Sequence, residues 1–127
     1  MVRLRTIFAA AGAAVLLAAC SRGGEPRAAL DRFFGSQIRK DYAATYDCYD
    51  GAYRAKVSRD EYVRHRAEAS TLESYQVLSL EQRGDQAHAA VVLVFAASPK
   101  VGRLAPASTT VQEDLVRGPE GWRVRVW

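Results

Sequence analysis

Two thiols stand out among the side chains of this 127-residue chain that carry chemistry, and their settings differ. Cys20 closes the stretch Leu17-Ala18-Ala19-Cys20, at the end of an uncharged apolar run over residues 7–19. Cys48 stands in a polar, tyrosine-rich stretch with no resolving cysteine and no catalytic histidine beside it, and reads as a small buried thiol. His65, His88, Asp47 and Asp50 are metal-capable residue types, but their spacing forms no ligand set, so no metal and no other cofactor is expected. The chain has neither a glycine-rich phosphate loop nor a nucleophile motif. Glu81 and His88 are expected to form a surface pair, and Arg59, Arg64 and Arg66 a basic edge that reads as a solvated helix face.

The segment that positions Cys20 has three parts: Arg3 and Arg5 as a positive head, the apolar run, and small residues at its close. This is the layout of a secretory signal, and the run falls short of the roughly 20 residues that span a bilayer. The last four residues resemble the bacterial lipobox, which implies lipidation of Cys20, cleavage before it and acylation of the new amino group. Each buried lipid methylene contributes roughly 0.8 kcal/mol, and two or more chains give stable anchoring. The expected organisation is therefore a lipoprotein signal peptide over residues 1–19, a tether over 20–27 and one domain over 28–127. The expected location is the cell envelope, exported and lipid-anchored to a membrane; Ser21 after the lipid site points to the periplasmic face of an outer membrane where one exists. Without Arg3 and Arg5 the net charge of +4 falls to +2, so a nucleic-acid partner is not expected. Lipidation of Cys20 also leaves Cys48 without a partner for an intrachain disulfide.

Periodicity divides the rest into helices and then strands. Ala29, Leu30, Phe33, Phe34 and Ile38 form a helical apolar stripe that starts near Pro26, a residue suited to a first turn. Gly35 inside that stripe suggests close packing against a large group. Asp41 is placed to cap a second helix, on which Tyr42, Tyr46, Tyr49 and Tyr53 would share a face, with a break expected at Asp50-Gly51. Ser58-Arg59-Asp60-Glu61 matches a capping box opening a third helix that buries Tyr62 and Val63. Residues 72–83 and 86–97 read as strands joined by the two-residue turn Gly84-Asp85. That register pairs Glu81 with His88, Ser79 with Ala90 and Leu78 with Val91, and puts Leu72, Gln76, Leu78, Leu80, Ala89, Val91, Leu93 and Phe95 on one face. Residues 98–108 form a loop. A final hairpin over 109–117 and 122–127 pairs Arg117 with Trp122 and Asp114 with Arg125, and gathers Val111, Glu113, Leu115, Trp122, Val124 and Val126 on its other face.

The fold class is α+β: N-terminal helices packed on a curved antiparallel sheet of about four strands. The helix over 28–38, the segment Lys40-Asp41-Tyr42-Ala43-Ala44-Thr45-Tyr46, the lead Tyr53-Arg54-Ala55-Lys56-Val57-Ser58 into the third helix, and the closing residues 115–124 together resemble the nuclear transport factor 2-like (cystatin-like, ketosteroid isomerase-like) superfamily, a cone-like roll of sheet around helices. That resemblance specifies fold and not activity. Its enzymes place an acid and a base inside the cone, which implies Glu113 as the base and Tyr46, Tyr49 or Tyr53 as the donor to a developing oxyanion, with Gln76 and Trp122 completing the candidate pocket; the preferred reading of the residues themselves is a hydrated or salt-bridged Glu113 near the open end of the sheet and core tyrosines with their hydroxyls at the rim. The leading expectation is an accessory domain without catalytic activity that binds a small apolar ligand or an envelope protein; the alternative is a small-molecule isomerase or dehydratase. A pocket converging on Glu113 favours the enzyme, and a cone plugged by Phe33, Phe34, Phe95 and Trp122 favours partner binding.

Overall fold

The computed structural model describes residues 24–127, so Cys20, where lipidation is expected from the sequence, lies outside the described residues. Four helices, α1 (Pro26–Ile38), α2 (Tyr42–Asp47), α3 (Gly51–Lys56) and α4 (Arg59–Glu68), precede four strands, β1 (Leu72–Arg83), β2 (Gln86–Phe95), β3 (Ala107–Gly118) and β4 (Gly121–Arg125). The strands form one curved antiparallel meander in the order β1-β2-β3-β4, and the α+β class expected from sequence is the class observed.

Local chemistry sets the helix boundaries. Pro26 opens α1, so the helix takes in residues 26 and 27 that the sequence assigns to the tether, and the Gly24 carbonyl before it accepts a hydrogen bond from Trp122 Nε1 at 3.1 Å. Asp41 caps α2 through Ala44 N, Asp50 caps α3 through Tyr53 N, and Ser58 caps α4 through Glu61 N. Each carboxylate or hydroxyl satisfies a backbone donor that the first helical turn leaves orphaned. Gly35 meets no large neighbour: an added Cβ would touch only the Arg39 guanidinium, 3.2 Å away on the same helix. The helical run of tyrosines ends earlier than expected, at Cys48. Tyr49 is extended there and bridges β4, with Asp50 N donating to Val124 O and Val124 N to Cys48 O.

The hairpin β1–β2 closes on Gly84-Asp85, and Glu81 faces His88 and Ser79 faces Ala90. Leu78 does not face Val91. The ladder is irregular between Val77 and Ser79, so Val77 takes that position and Leu78 is 55% exposed. The extra residue reverses the alternation upstream. Tyr75 and Val77 therefore pack against the core, and Gln76, paired with Val92, is exposed. The second hairpin keeps its expected register, Arg117 opposite Trp122 and Asp114 opposite Arg125, although Val126 lies beyond β4 and is exposed. The loop between β2 and β3 contains a short 3-10 turn, Pro99–Val101, and ends at Ala107.

The core fills the concave side of the sheet. Leu30, Phe33 and Phe34 of α1 meet Ala89 and Val91 of β2, Leu115 of β3, and Trp122 and Val124 of β4. Phe33 packs edge-on against Phe34 and Tyr49, and Phe34 stacks on Tyr75 at 5.2 Å. A second cluster of Tyr42, Tyr46 and Tyr62 joins α2 to α4, with Tyr49 and Tyr53 packed against it. Between α1 and α2, the buried hydroxyls of Ser36 and Thr45 lie 2.6 Å apart and also reach the Phe33 and Asp41 carbonyls.

Candidate functional site

Glu113 faces inward. It pairs with Ala89 across β2–β3 and lies between Val111 and Leu115 on the concave face, as alternation along β3 requires. The carboxylate is half-buried and makes no hydrogen bond or ion pair among the described residues. Burial pushes its pKa up to about 7, and the neighbouring charge of Asp114 adds to the rise. A carboxyl in that range exchanges a proton near neutral pH, the property that acid–base work needs.

The tyrosines divide by what their hydroxyls touch. Tyr46 is spent on structure, since its hydroxyl reaches the Val57 carbonyl at 2.6 Å and the Arg54 carbonyl at 3.0 Å and so ties α2 to the end of α3. Tyr53 stacks on Tyr49 with ring centroids 4.2 Å apart. Tyr49 is the tyrosine on which Glu113 acts: burial raises its pKa first, then the adjacent Tyr62 through its charge and a side-chain hydrogen bond, with Tyr53 and Glu113 adding smaller upward pushes. Its position follows from the backbone bridge to Val124, which swings residue 49 off the helix axis and over the sheet. Of the expected pocket residues, Glu113 and Tyr49 come together, with Tyr53 stacked behind. Gln76 is on the opposite face because of the Leu78 bulge, and Trp122 is 1% exposed in the core.

The interior of the cone is filled. Phe33, Phe34 and Trp122 are buried, and Phe95 is partly buried against them. Among the described residues, three of the better-formed surface cavities lie elsewhere, and none of these has Glu113 in its wall. One of about 280 Å³ is lined by Glu81, His88, Asp114, Arg125 and Trp127. A second of about 340 Å³ sits at the β3–β4 turn beside Arg54 and Glu120, and a third of about 220 Å³ lies between α1, α2 and β4.

His88 pairs with Asp114 and not with Glu81. Nδ1 donates to Asp114 Oδ1 and Nε2 faces Gln112 Oε1, each at 2.7 Å, because β2 is a central strand and His88 sits directly opposite Asp114. Both bonds favour the charged ring and raise the pKa of His88, while the same contact with a second one from Trp127 lowers that of Asp114. Around α4, Arg59 is paired with Asp47, and Arg66 reaches Gln37 and lies over the Tyr42 ring. Arg59 and Arg64 are exposed and keep to the expected solvated face, and Arg66 is half-buried. Cys48 is a free, half-buried thiol whose Sγ donates to the Ala44 carbonyl. Among the described residues no three of His, Cys, Asp and Glu converge as a metal site, and no helix is long and apolar enough to cross a membrane. The signal for the Glu113–Tyr49 pair was half visible in the alternation of β3; the other half needed the long-range bridge.

No protein-family model and no curated protein matches this chain. Solved structures do. A SEC-C motif containing protein from Rhodopseudomonas palustris superposes with a TM-score of 0.66 at 17% identity, over 80% of this chain and 75% of that one. A protein from Campylobacter jejuni described as an NTF2-like transpeptidase gives 0.56 at 15% identity, over 82% of this chain and 100% of that one. A protein from Streptomyces avermitilis described as a dehydratase of the NTF2-like family gives 0.55 at 14% identity, over 77% and 86%. At such identities the likeness is one of architecture: helices on a curved, unclosed four-stranded sheet, which is the NTF2-like fold.

Proposed function

We propose that this chain is a lipid-anchored cell-envelope domain, acylated at Cys20 and exposed on the periplasmic face of an outer membrane where one exists, that binds a protein partner and catalyses no reaction. The filled cone carries the binding half of this reading: Phe33, Phe34 and Trp122 occupy the space in which an enclosed substrate or apolar ligand would sit. The anchoring half rests on Leu17-Ala18-Ala19-Cys20 closing an apolar signal. Cells grown with an alkyne fatty acid should label the protein, and Cys20→Ala should lose the label; a variant that keeps it defeats the anchor. Crosslinking followed by a pull-down from envelope membranes should retain a stoichiometric partner, and recovery of the monomer alone defeats the partner.

A second reading is favoured by one observation, the raised carboxyl of Glu113 beside Tyr49. Here the domain is an isomerase or dehydratase, Glu113 takes a proton next to a carbonyl, and Tyr49 stabilises the oxyanion. Glu113→Gln should then fold normally and lose turnover on carbonyl substrates. A Glu113→Gln protein with unchanged turnover removes the enzyme.

A further inference from the structure

The cavity between α1, α2 and β4 gathers two arginines, an aspartate and a thiol. Its walls are Ala29 and Arg32 of α1, Ala44, Asp47 and Cys48 of α2 and its cap, and Trp122 and Arg123 of β4, enclosing about 220 Å³. Two arginines line it. Arg123 is held in place, its Nη1 donating to the Trp122 carbonyl at 3.1 Å and its other end 3.8 Å from Glu120, yet its Nε is buried with no hydrogen-bond partner. Arg32 is exposed on α1 and makes no hydrogen bond or ion pair among the described residues. The acid in the same wall, Asp47, is already engaged by Arg59 from outside the cavity. The opposite walls are apolar, with Trp122 locked by its hydrogen bond to Gly24.

The balance of charge at the floor is independently visible at Cys48. Burial raises the thiol pKa, Arg32 and then Arg123 pull it back, and Asp47 pushes it up least. Both cations therefore act at the same point, and together they outweigh the acid. With Asp47 engaged by Arg59 and Arg123 shared with Glu120, Arg32 is left as the one cation of the wall without an ion pair among the described residues, which matches a single negative charge better than two.

We propose that this cavity is a binding site for a small organic monoanion, a carboxylate held between Arg32 and Arg123 with its apolar body against Ala29, Ala44 and Trp122. A planar guanidinium is the side chain best suited to a carboxylate, through paired N–H donors. The site lies between α1, α2 and β4 and does not include Glu113, so it stands whether or not the domain is an enzyme or has a protein partner.

Cys48 in the wall serves as the reporter. The full chain is alkylated with iodoacetate or with iodoacetamide, and the rate at Cys48 is read by peptide mass spectrometry. The two reagents differ in charge but share the thiolate chemistry, so their rate ratio cancels the thiol pKa. The ratio at Cys48 should exceed that of N-acetylcysteine several-fold, and Arg32→Gln and Arg123→Gln should each bring it back towards the free thiol. A ratio equal to that of N-acetylcysteine, or a preference that survives both substitutions, overturns the site. Titration with benzoate, followed by amide and indole NMR shifts, tests binding without the thiol: Ala29, Ala44 and Trp122 should shift with benzoate and not with neutral benzamide. Equal shifts with both compounds, or none with either, overturn it too.

Discussion

Glu113 is the residue whose environment is most at odds with its chemistry. An ionisable group with no partner on an apolar face destabilises the fold once it is charged, and the sign follows from its raised pKa. Below about pH 4.5 the carboxyl is neutral in both folded and unfolded chains and carries no charge penalty. As the pH climbs through the folded value of about 7, the unfolded state ionises first and stability falls, by up to about 3 kcal/mol for a shift of this size. Glu113→Gln should therefore gain stability over the parent as pH rises from 4.5 to 8 in urea unfolding; a difference between the two proteins that stays flat across that range would show the carboxyl to be well solvated. His88 acts in the same direction by a different route. Its raised pKa means that the contribution of its pair with Asp114 is full below about 6.5 and is lost as pH rises through the folded value. Comparing parent and variant removes this common background. The buried hydroxyl pair is a second residue-scale test. Thr45→Val keeps the shape but takes away the partner of Ser36, and should cost about 1–3 kcal/mol by thermal or urea unfolding, since a buried polar group would be left short of a bond.

Among the elements, β1 departs most from a regular pattern. Its apolar residues Leu72, Tyr75, Val77 and Leu80 point to the core only because the ladder shifts between Leu72 and Ser74 and again between Val77 and Ser79. The adjacent hydrophobes Val77 and Leu78 were the one trace of this in the sequence, since strict alternation cannot bury both. Leu78→Ser should consequently lie within about 0.5 kcal/mol of the parent in urea unfolding. Leu72→Ala, at a position 1% exposed, should cost about 2–5 kcal/mol in the same assay. Near-equal costs at the two positions would place Leu78 inside the core after all. The helix starts, by contrast, were written in single residues. Asp41 and Ser58 could be read directly because capping is local chemistry, a side chain bonding a backbone donor three residues on. Tyr49 could not, because its conformation is set by Val124, 75 positions away along the chain.

On the scale of the whole molecule, Trp122 joins the parts. Its ring sits in the main core with α1, its indole N–H holds Gly24, and Arg117 lies over it at 5.3 Å. Trp122→Ala should cost about 3–5 kcal/mol, a large share of the roughly 5–15 kcal/mol of a small domain. Trp122→Phe should keep most of the packing and lose chiefly the bond to Gly24, so its urea midpoint should fall between those of the parent and the alanine variant; a phenylalanine variant as unstable as alanine would make the Gly24 tie the larger effect. The order of elements, the capped helix starts, the two-residue turn at Gly84-Asp85 and the registers of both hairpins near their turns are determined by the sequence itself. Each depends on side chains and backbone only a few residues apart. Tertiary structure alone decided that Glu113 acts on Tyr49 rather than Tyr46, that Gln76 turns outward, that aromatic rings fill the cone, and that Arg32, Cys48 and Arg123 share one cavity. Those outcomes arise where distant segments meet, and hydrophobic periodicity reports which face of an element is buried but not which residue of another element it is buried against.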